Sequence, residues 1–243
     1  MIDIRDVWKS FDGKAVLKGI DLSIPRAKTT VIVGCSGCGK TVLLRSILGL
    51  VRPDRGSILV ENSDITTLDR NGLFQMRKKF GMLFQGSALF DSMTVEENVG
   101  LALREHTRMD AEKITKRVIA VLGAVGLSGI GDKKPAELSG GMKKRVGLAR
   151  ALAMDPKCVL FDEPTTGLDP VMANTINRLI RDTSRQFGLT SVVVTHDLSS
   201  AFFIADRLAM IHDGKIVFSG TSEEFRKCRK PEVRCFLEGR DDV

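Results

Sequence analysis

The stretch VIVGCSGCGKTVLLRSI, residues 31–47, limits the possible folds more than any other part of the chain. TTVIVG (29–34) is a continuous β-branched run, the pattern of a strand buried on both faces. The loop after it fits G-x-x-x-x-G-K-T from Gly34 to Thr41. KTVLLRSILGL then sets Leu44, Ile47 and Leu48 at helical i, i+3, i+4 spacing. Strand, glycine loop and helix in that order surround phosphate oxygens with backbone N–H groups and a positive helix end. Cys35 and Cys38 also make a C-x-x-C, the spacing of a redox pair or half a zinc site. The other cysteines, Cys158, Cys228 and Cys235, form no second pair of that kind, and the histidines are scattered at 106, 196 and 212. A zinc site or disulfide scaffold therefore has too few partners. The strand–loop–helix setting favours phosphate, with both cysteines at variable positions where a small side chain lets the backbone wrap an anion. Lys40 is then placed to reach β- and γ-phosphates, and the Thr41 hydroxyl to hold Mg²⁺.

A chain of 243 residues can bury one core, or one core with an inserted subdomain. Its 43% apolar and 28% charged residues are ordinary for a soluble globular protein. No apolar run approaches the ~18–20 residues of a membrane helix. The start, MIDIRDVWKSFDG, lacks a basic segment followed by an apolar one, so no signal peptide is expected. A net charge of +7 fits anionic partners, and equally a solvated lysine-rich surface. No basic run alternates with aromatics and Tyr is absent, so direct nucleic-acid binding is not expected.

Strands are expected at 2–8, 15–24 (after the turn FDGK), 29–34, 56–60 and 80–84, with a helix near 69–79. From about 90 to 155 the chain turns helical. Thr94 and Glu97 form a capping box; 110–127 is amphipathic at its start; 141–154 reads as a basic-faced helix. Strands return at 157–161, 190–195, 208–212 and 215–219, alternating with helix. This is the pattern of a parallel α/β core with a helical insertion.

Several residues outside the loop carry candidate chemistry. VLFDE ends an apolar strand in Asp162 and Glu163, at the strand edge where open α/β sheets bind ligands. Asp162 can hold Mg²⁺ through water, and Glu163 can polarise a water for in-line attack. His196, in THDLSS, closes another buried strand and can donate to a γ-phosphate, while Asp197 can cap the next helix. Ser139-Gly140-Gly141 opens the basic helix as a second anion-binding helix start. One nucleotide cannot easily use two such distant helix starts unless a second copy of the chain faces the first. Asp169-Pro170 is an N-cap-then-Pro helix start, with Met172, Ile176, Leu179, Ile180, Thr183 and Phe187 on one face. Gln85, closing FGMLFQ, is suited to contact Mg²⁺ and report to the helical insertion. Phe11 can stack on adenine, although an aromatic near a turn also serves a core.

Taken together, GCSGCGKT, Gln85, LSGGM, VLFDE, GLDP and His196 occur in the order of the ATP-binding subunits of ABC transporters, which the chain resembles over essentially its whole length. The resemblance implies an α/β P-loop NTPase core with an N-terminal antiparallel β subdomain and an inserted α-helical subdomain. It places the core at about 1–88 and 156–243 and the helical subdomain at about 89–155. It implies ATP and Mg²⁺ as cofactors and a head-to-tail homodimer that sandwiches two ATPs. Each ATP would lie between one chain's loop, Gly34, Cys35, Ser36, Gly37, Cys38, Gly39, Lys40, Thr41 and Val42, and the other chain's Ser139-Gly140-Gly141. Catalysis would fall to Glu163, His196 and Lys40, metal binding to Thr41, Gln85 and Asp162, adenine stacking to Phe11, and a contact across the dimer to Asp169. Met142 after LSGG, together with 81–105 and PEVRCFLEG (231–239), looks like the ATPases of Mla-type, MCE-associated lipid transporters. That implies a peripheral subunit on the cytoplasmic face of the inner membrane, an integral permease, and MCE-domain and STAS-like partners. Leu89, Phe90, Met93 and Val95 would receive the permease or form the subdomain's own core. An ATPase for another imported solute, or of iron–sulfur cluster assembly, is the alternative.

Overall fold

The computed structural model describes residues 1–240. The first half contains β1 (Ile2–Phe11), β2 (Lys14–Ile24), β3 (Thr29–Val33), α1 (Lys40–Ile47), β4 (Arg55–Val60), β5 (Ser63–Asp64) and α2 (Arg70–Arg77). The middle contains β6 (Phe80–Leu83), α3 (Val95–His106), α4 (Ala111–Ala124), α5 (Gly140–Leu152), β7 (Cys158–Asp162) and α6 (Pro170–Gln186). The last part contains β8 (Thr190–Thr195), α7 (Leu198–Ile204), β9 (Arg207–His212), β10 (Lys215–Gly220), α8 (Ser222–Lys227) and α9 (Pro231–Leu237). No helix among the described residues is long and apolar enough to cross a membrane. Two compact units result: residues up to Arg77 with those from Thr190 onward, and residues 78–189.

The first unit holds two layers of strands. One is an antiparallel sheet in the order β2-β1-β4-β5. In the other, β3 lies between β8 and β9 and runs parallel to both. All five residues of β3 are buried, as its β-branched run requires. Three tight turns shape this unit: Asp12-Gly13, Glu61-Asn62 and Asp213-Gly214 each put both residues at positive φ. That is the two-residue hairpin turn whose twist matches its flanking strands. The Asp213-Gly214 turn reverses the chain, so β10 pairs antiparallel to β9 instead of extending the parallel alternation expected there.

In the second unit β6 and β7 pair in parallel, and α5 lies directly on β6. Two glycines permit that approach. A Cβ on Gly81 would sit 2.2 Å from the Ala151 carbonyl oxygen, and one on Gly147 2.7 Å from Leu83 Cδ1. Helices α3, α4 and α5 bury Val95, Val99, Leu103, Val118, Val121 and Val146 between them. Arg117 of α4 donates to the carbonyls of Leu152 and Ala153, satisfying the end of α5. The Thr94–Glu97 capping box starts α3 as expected. Ile176, Ile180 and Thr183 form the buried stripe of α6, whereas Phe187 emerges at its end.

Asn98 of α3, 0% exposed, organises the segment before its helix. Its Oδ1 accepts from Phe90 N, and its Nδ2 donates to the carbonyls of Phe90, Met93 and Thr94.

Candidate functional site

Three glycines shape the loop between β3 and α1. A Cβ on Gly34 would meet the Ile211 carbonyl oxygen at 2.3 Å, and Gly37 and Gly39 have φ of 79° and 105°. Gly39 is also the N-cap of α1 and supplies no capping side chain. The first turn of α1 thus presents backbone N–H groups at the positive end of the helix, as an anion site needs. Lys40, buried, donates from Nζ to the carbonyls of Gly34 (2.8 Å) and Cys35 (2.9 Å), so the ammonium lies across the loop itself. Cys35 and Cys38 are both thiols. Burial pushes the Cys38 thiol up, with nearby Lys40 pulling the other way.

His196 belongs to the same edge. Val33 pairs with Thr195 in parallel register, so the loop after β3 and the residue after β8 leave the sheet together. Thr195 Oγ1 accepts from Asp197 N, and Asp197 caps α7 through Ser199 N and Ser200 N, which fixes the backbone around His196. A cavity of about 850 Å³ is lined by Cys35, Ser36, His196 and Asp197, with Phe236 and Leu237 from α9. Phe11 ends β1 with 42% of its surface exposed, and the Lys9 ammonium stands 5.3 Å from its ring centre.

The second unit carries the other group. Leu83 pairs with Phe161, so Gln85 and the Asp162–Glu163 pair follow neighbouring parallel strands at one edge. Asp162 is buried, and Glu163 takes φ of 48°, a left-handed backbone that turns the chain sharply. Glu163 Oε2 accepts from Thr166 Oγ1 at 3.3 Å. Ser139 caps α5 by accepting from Met142 N, and Ser139 and Gly140 are exposed at the helix start. Asp169 caps α6 through Val171 N and Met172 N.

Among the described residues no cluster of three or more His, Cys, Asp or Glu could hold a metal ion. The candidate donors Thr41, Gln85 and Asp162 are all oxygen ligands and too few to cage an ion. Thr41 belongs to the first unit and Gln85 and Asp162 to the second, and each offers the hard oxygen that Mg²⁺ takes beside substrate phosphates and water.

The family model described as ABC transporter matches residues 17–166. The chain belongs to the ABC transporter family. It is an ATPase and the ATP-hydrolysing component of a transporter. It is 42% identical to the intermembrane phospholipid transport system ATP-binding protein MlaF of Escherichia coli strain K12, over 98% of this chain and 89% of that protein. It is 41% identical to a Mycobacterium leprae protein named "Probable ribonucleotide transport ATP-binding protein mkl", over 98% of this chain and 69% of the other. Among solved structures it resembles the dimeric post-hydrolysis state of the ATP-binding cassette MJ0796 with ADP and Pi bound. That match has a TM-score of 0.84 and 34% identity, and covers 91% of this chain and 98% of the other. CbiO1 from Clostridium perfringens, part of the ABC transporter complex cbiONQ, matches with a TM-score of 0.85 and 30% identity over 98% of both chains.

Two features of the second unit go beyond the sequence reading of this ABC ATPase, which names only Phe90 of the groove described below. The basic residues of α5 form no solvated face: Lys143, Lys144, Arg145 and Arg150 are all buried or half-buried. Lys144 Nζ donates to the Gln85 carbonyl, and Arg150 donates to the carbonyls of Ser87 and Ala88 at 2.7 Å each. The second feature is a groove of about 510 Å³ lined by Met82, Phe84, Ala88, Phe90, Leu101 and Arg150. Phe90 is 51% exposed there, while Val95 lies wholly inside the helical core.

Proposed function

We propose that this chain is the ATPase of an MlaF-type phospholipid transport system, working as a homodimer on an integral membrane permease at the cytoplasmic face of the inner membrane. The observation that carries the reading is the 42% identity to MlaF over 98% of the chain. The dimeric form of the matched cassette supports the pairing of two copies.

In this reading residues 1–88 and 156–243 act as the nucleotide core and 89–155 as the helical subdomain. Backbone N–H groups from Cys35 to Val42 hold the phosphates, Lys40 leaves its loop carbonyls for the β- and γ-phosphates, and Phe11 stacks on the adenine. Thr41, Gln85 and Asp162 hold Mg²⁺, which when bound neutralises phosphate charge. Glu163 takes a proton from the attacking water, and His196 donates a hydrogen bond to the γ-phosphate. Ser139, Gly140 and Gly141 offer their helix start to the ATP of the second copy, and Asp169 meets that copy. The groove around Phe84 and Phe90 receives the permease. MCE-domain and STAS-like subunits complete the assembly.

The test is purification of the intact complex from native membranes in mild detergent, with mass spectrometry of the bound proteins and lipids. A multi-pass permease, an MCE-domain protein and phospholipid are expected. A permease that carries nucleotides instead would favour the activity in the mycobacterial relative's name. A soluble scaffold without a membrane partner would refute the transport reading.

A further inference from the structure

We infer that Lys144 is a positioning residue for hydrolysis, which ties the Gln85 turn to α5 and sets a cation against the Asp162–Glu163 carboxylates. The inference rests on the roles proposed above for those three residues.

Lys144 is 5% exposed, and a buried ammonium is tolerated only where acceptors and opposite charge receive it. Both are present. Its Nζ donates to the Gln85 carbonyl, and the charges acting on it are those of Asp162 and Glu163. Burial pushes the ammonium's proton affinity down, and the two carboxylates oppose that.

Other charged groups on α5 and its packed neighbours have different tasks. Arg117 of α4 serves the end of α5. Glu96 of α3 accepts from Thr115, Glu97 closes the Thr94 cap, and Arg104 donates to the Glu97 carbonyl. Arg150 serves Ser87 and Ala88.

The turn needs such a hold. Ser87 and Ala88 are consecutive non-glycine residues at φ of 62° and 48°, a backbone that persists only where its surroundings enforce it. Lys144 and Arg150 together grip the carbonyls of Gln85, Ser87 and Ala88 from one helix. That helix is capped by Ser139, so one element carries both the Ser139 helix start and the grip on the Gln85 turn. Lys144 alone of the two cations also acts on the carboxylates.

The experiment compares full-length wild type, Lys144→Met and Lys144→Arg for ATP affinity by fluorescent-nucleotide binding, for kcat and KM, and for amide exchange at residues 84–90. In Lys144→Met, kcat is expected to fall about tenfold to a hundredfold, as for residues that orient a site from behind. ATP affinity and KM should stay within about twofold, and exchange at 85–88 should quicken. Lys144→Arg, which keeps both charge and donors, should restore most of kcat and the slow exchange. If Lys144→Met turns over like wild type, Lys144 is a packing residue and the inference falls. Should the Met variant not fold, Lys144→Gln keeps a donor and removes only the charge. A fall in its kcat with unchanged KM supports the inference, and an unchanged kcat overturns it. Glu163→Gln is run beside them: wild-type hydrolysis there would refute the role of Glu163 and leave the Lys144 result separately readable.

Discussion

Replacing Gly81 by Ala tests the closest backbone approach in the second unit. The new Cβ would lie 2.2 Å from the Ala151 carbonyl oxygen and 2.9 Å from its carbon. A carbon normally rests about 3.3 Å from such an oxygen, so α5 and β6 must part by about 1 Å. Both sides are backbone, and no rotamer change relieves the clash. Overpacking of a core costs about 1–3 kcal/mol, and a rigid contact of this kind falls near about 3. At roughly 2–4 °C per kcal/mol for a chain of this size, the melting temperature should drop by roughly 6–12 °C. Gly123→Ala is the matched control. It lies in α4 with nothing within 4 Å of its Cβ, so the same added methyl should stabilise by about 0.5–1 kcal/mol through helix propensity. Thermal melts followed by circular dichroism read both variants side by side. A Gly81→Ala protein melting within about 2 °C of wild type would show that α5 does not bear on β6 as described.

Asn98→Ala removes four hydrogen bonds and strands the backbone groups of 90–94. A loss of about 2–4 kcal/mol is expected, with faster amide exchange confined first to that segment. Asp169→Asn should melt with wild type because Asn caps as well as Asp, whereas Asp169→Ala should lose about 1 kcal/mol. If Asp169 also meets the second copy, both variants will weaken ATP-dependent dimerisation, read by gel filtration in a Glu163→Gln background. A thiol reagent on the native protein should modify exposed Cys35 early and leave Cys158 untouched until denaturant is added, because burial pushes the Cys158 thiol far up. Peptide mass spectrometry gives the order.

The strand before the phosphate loop was legible because burial on both faces leaves a β-branched run, and its end was legible because only glycine fits against Ile211. Motif order then carried the fold to the family. The helix starts at Thr94 and Asp169 were equally plain, since a cap is a local chemical pattern. The Thr221–Glu224 box of α8 has the same signature as Thr94–Glu97 and could have been read from it. What the sequence hid was the direction of long basic side chains. A lysine on a helix usually means a wet face, yet its four-carbon stem can equally carry the ammonium inward to a carbonyl. Whether Lys144 does so depends on the turn at Gln85, 59 residues earlier in the chain. Nor does any local pattern announce the left-handed backbone of Glu163 or of Ser87 and Ala88, none of them glycine.

Both strands that flank β3 are made long after it. Thr29 pairs with Ser191, and Thr30 with Arg207. A ribosome adding roughly 5–20 residues per second therefore leaves the five apolar-lined residues of β3 without a neighbour for roughly 10–30 s. During that interval the glycine loop has no neighbouring strand to anchor it, and its grip on a phosphate is expected to be weak. Nascent copies on one messenger are therefore expected to stay inert toward nucleotide until the residues that pair with β3, Ser191 and Arg207 among them, have been added.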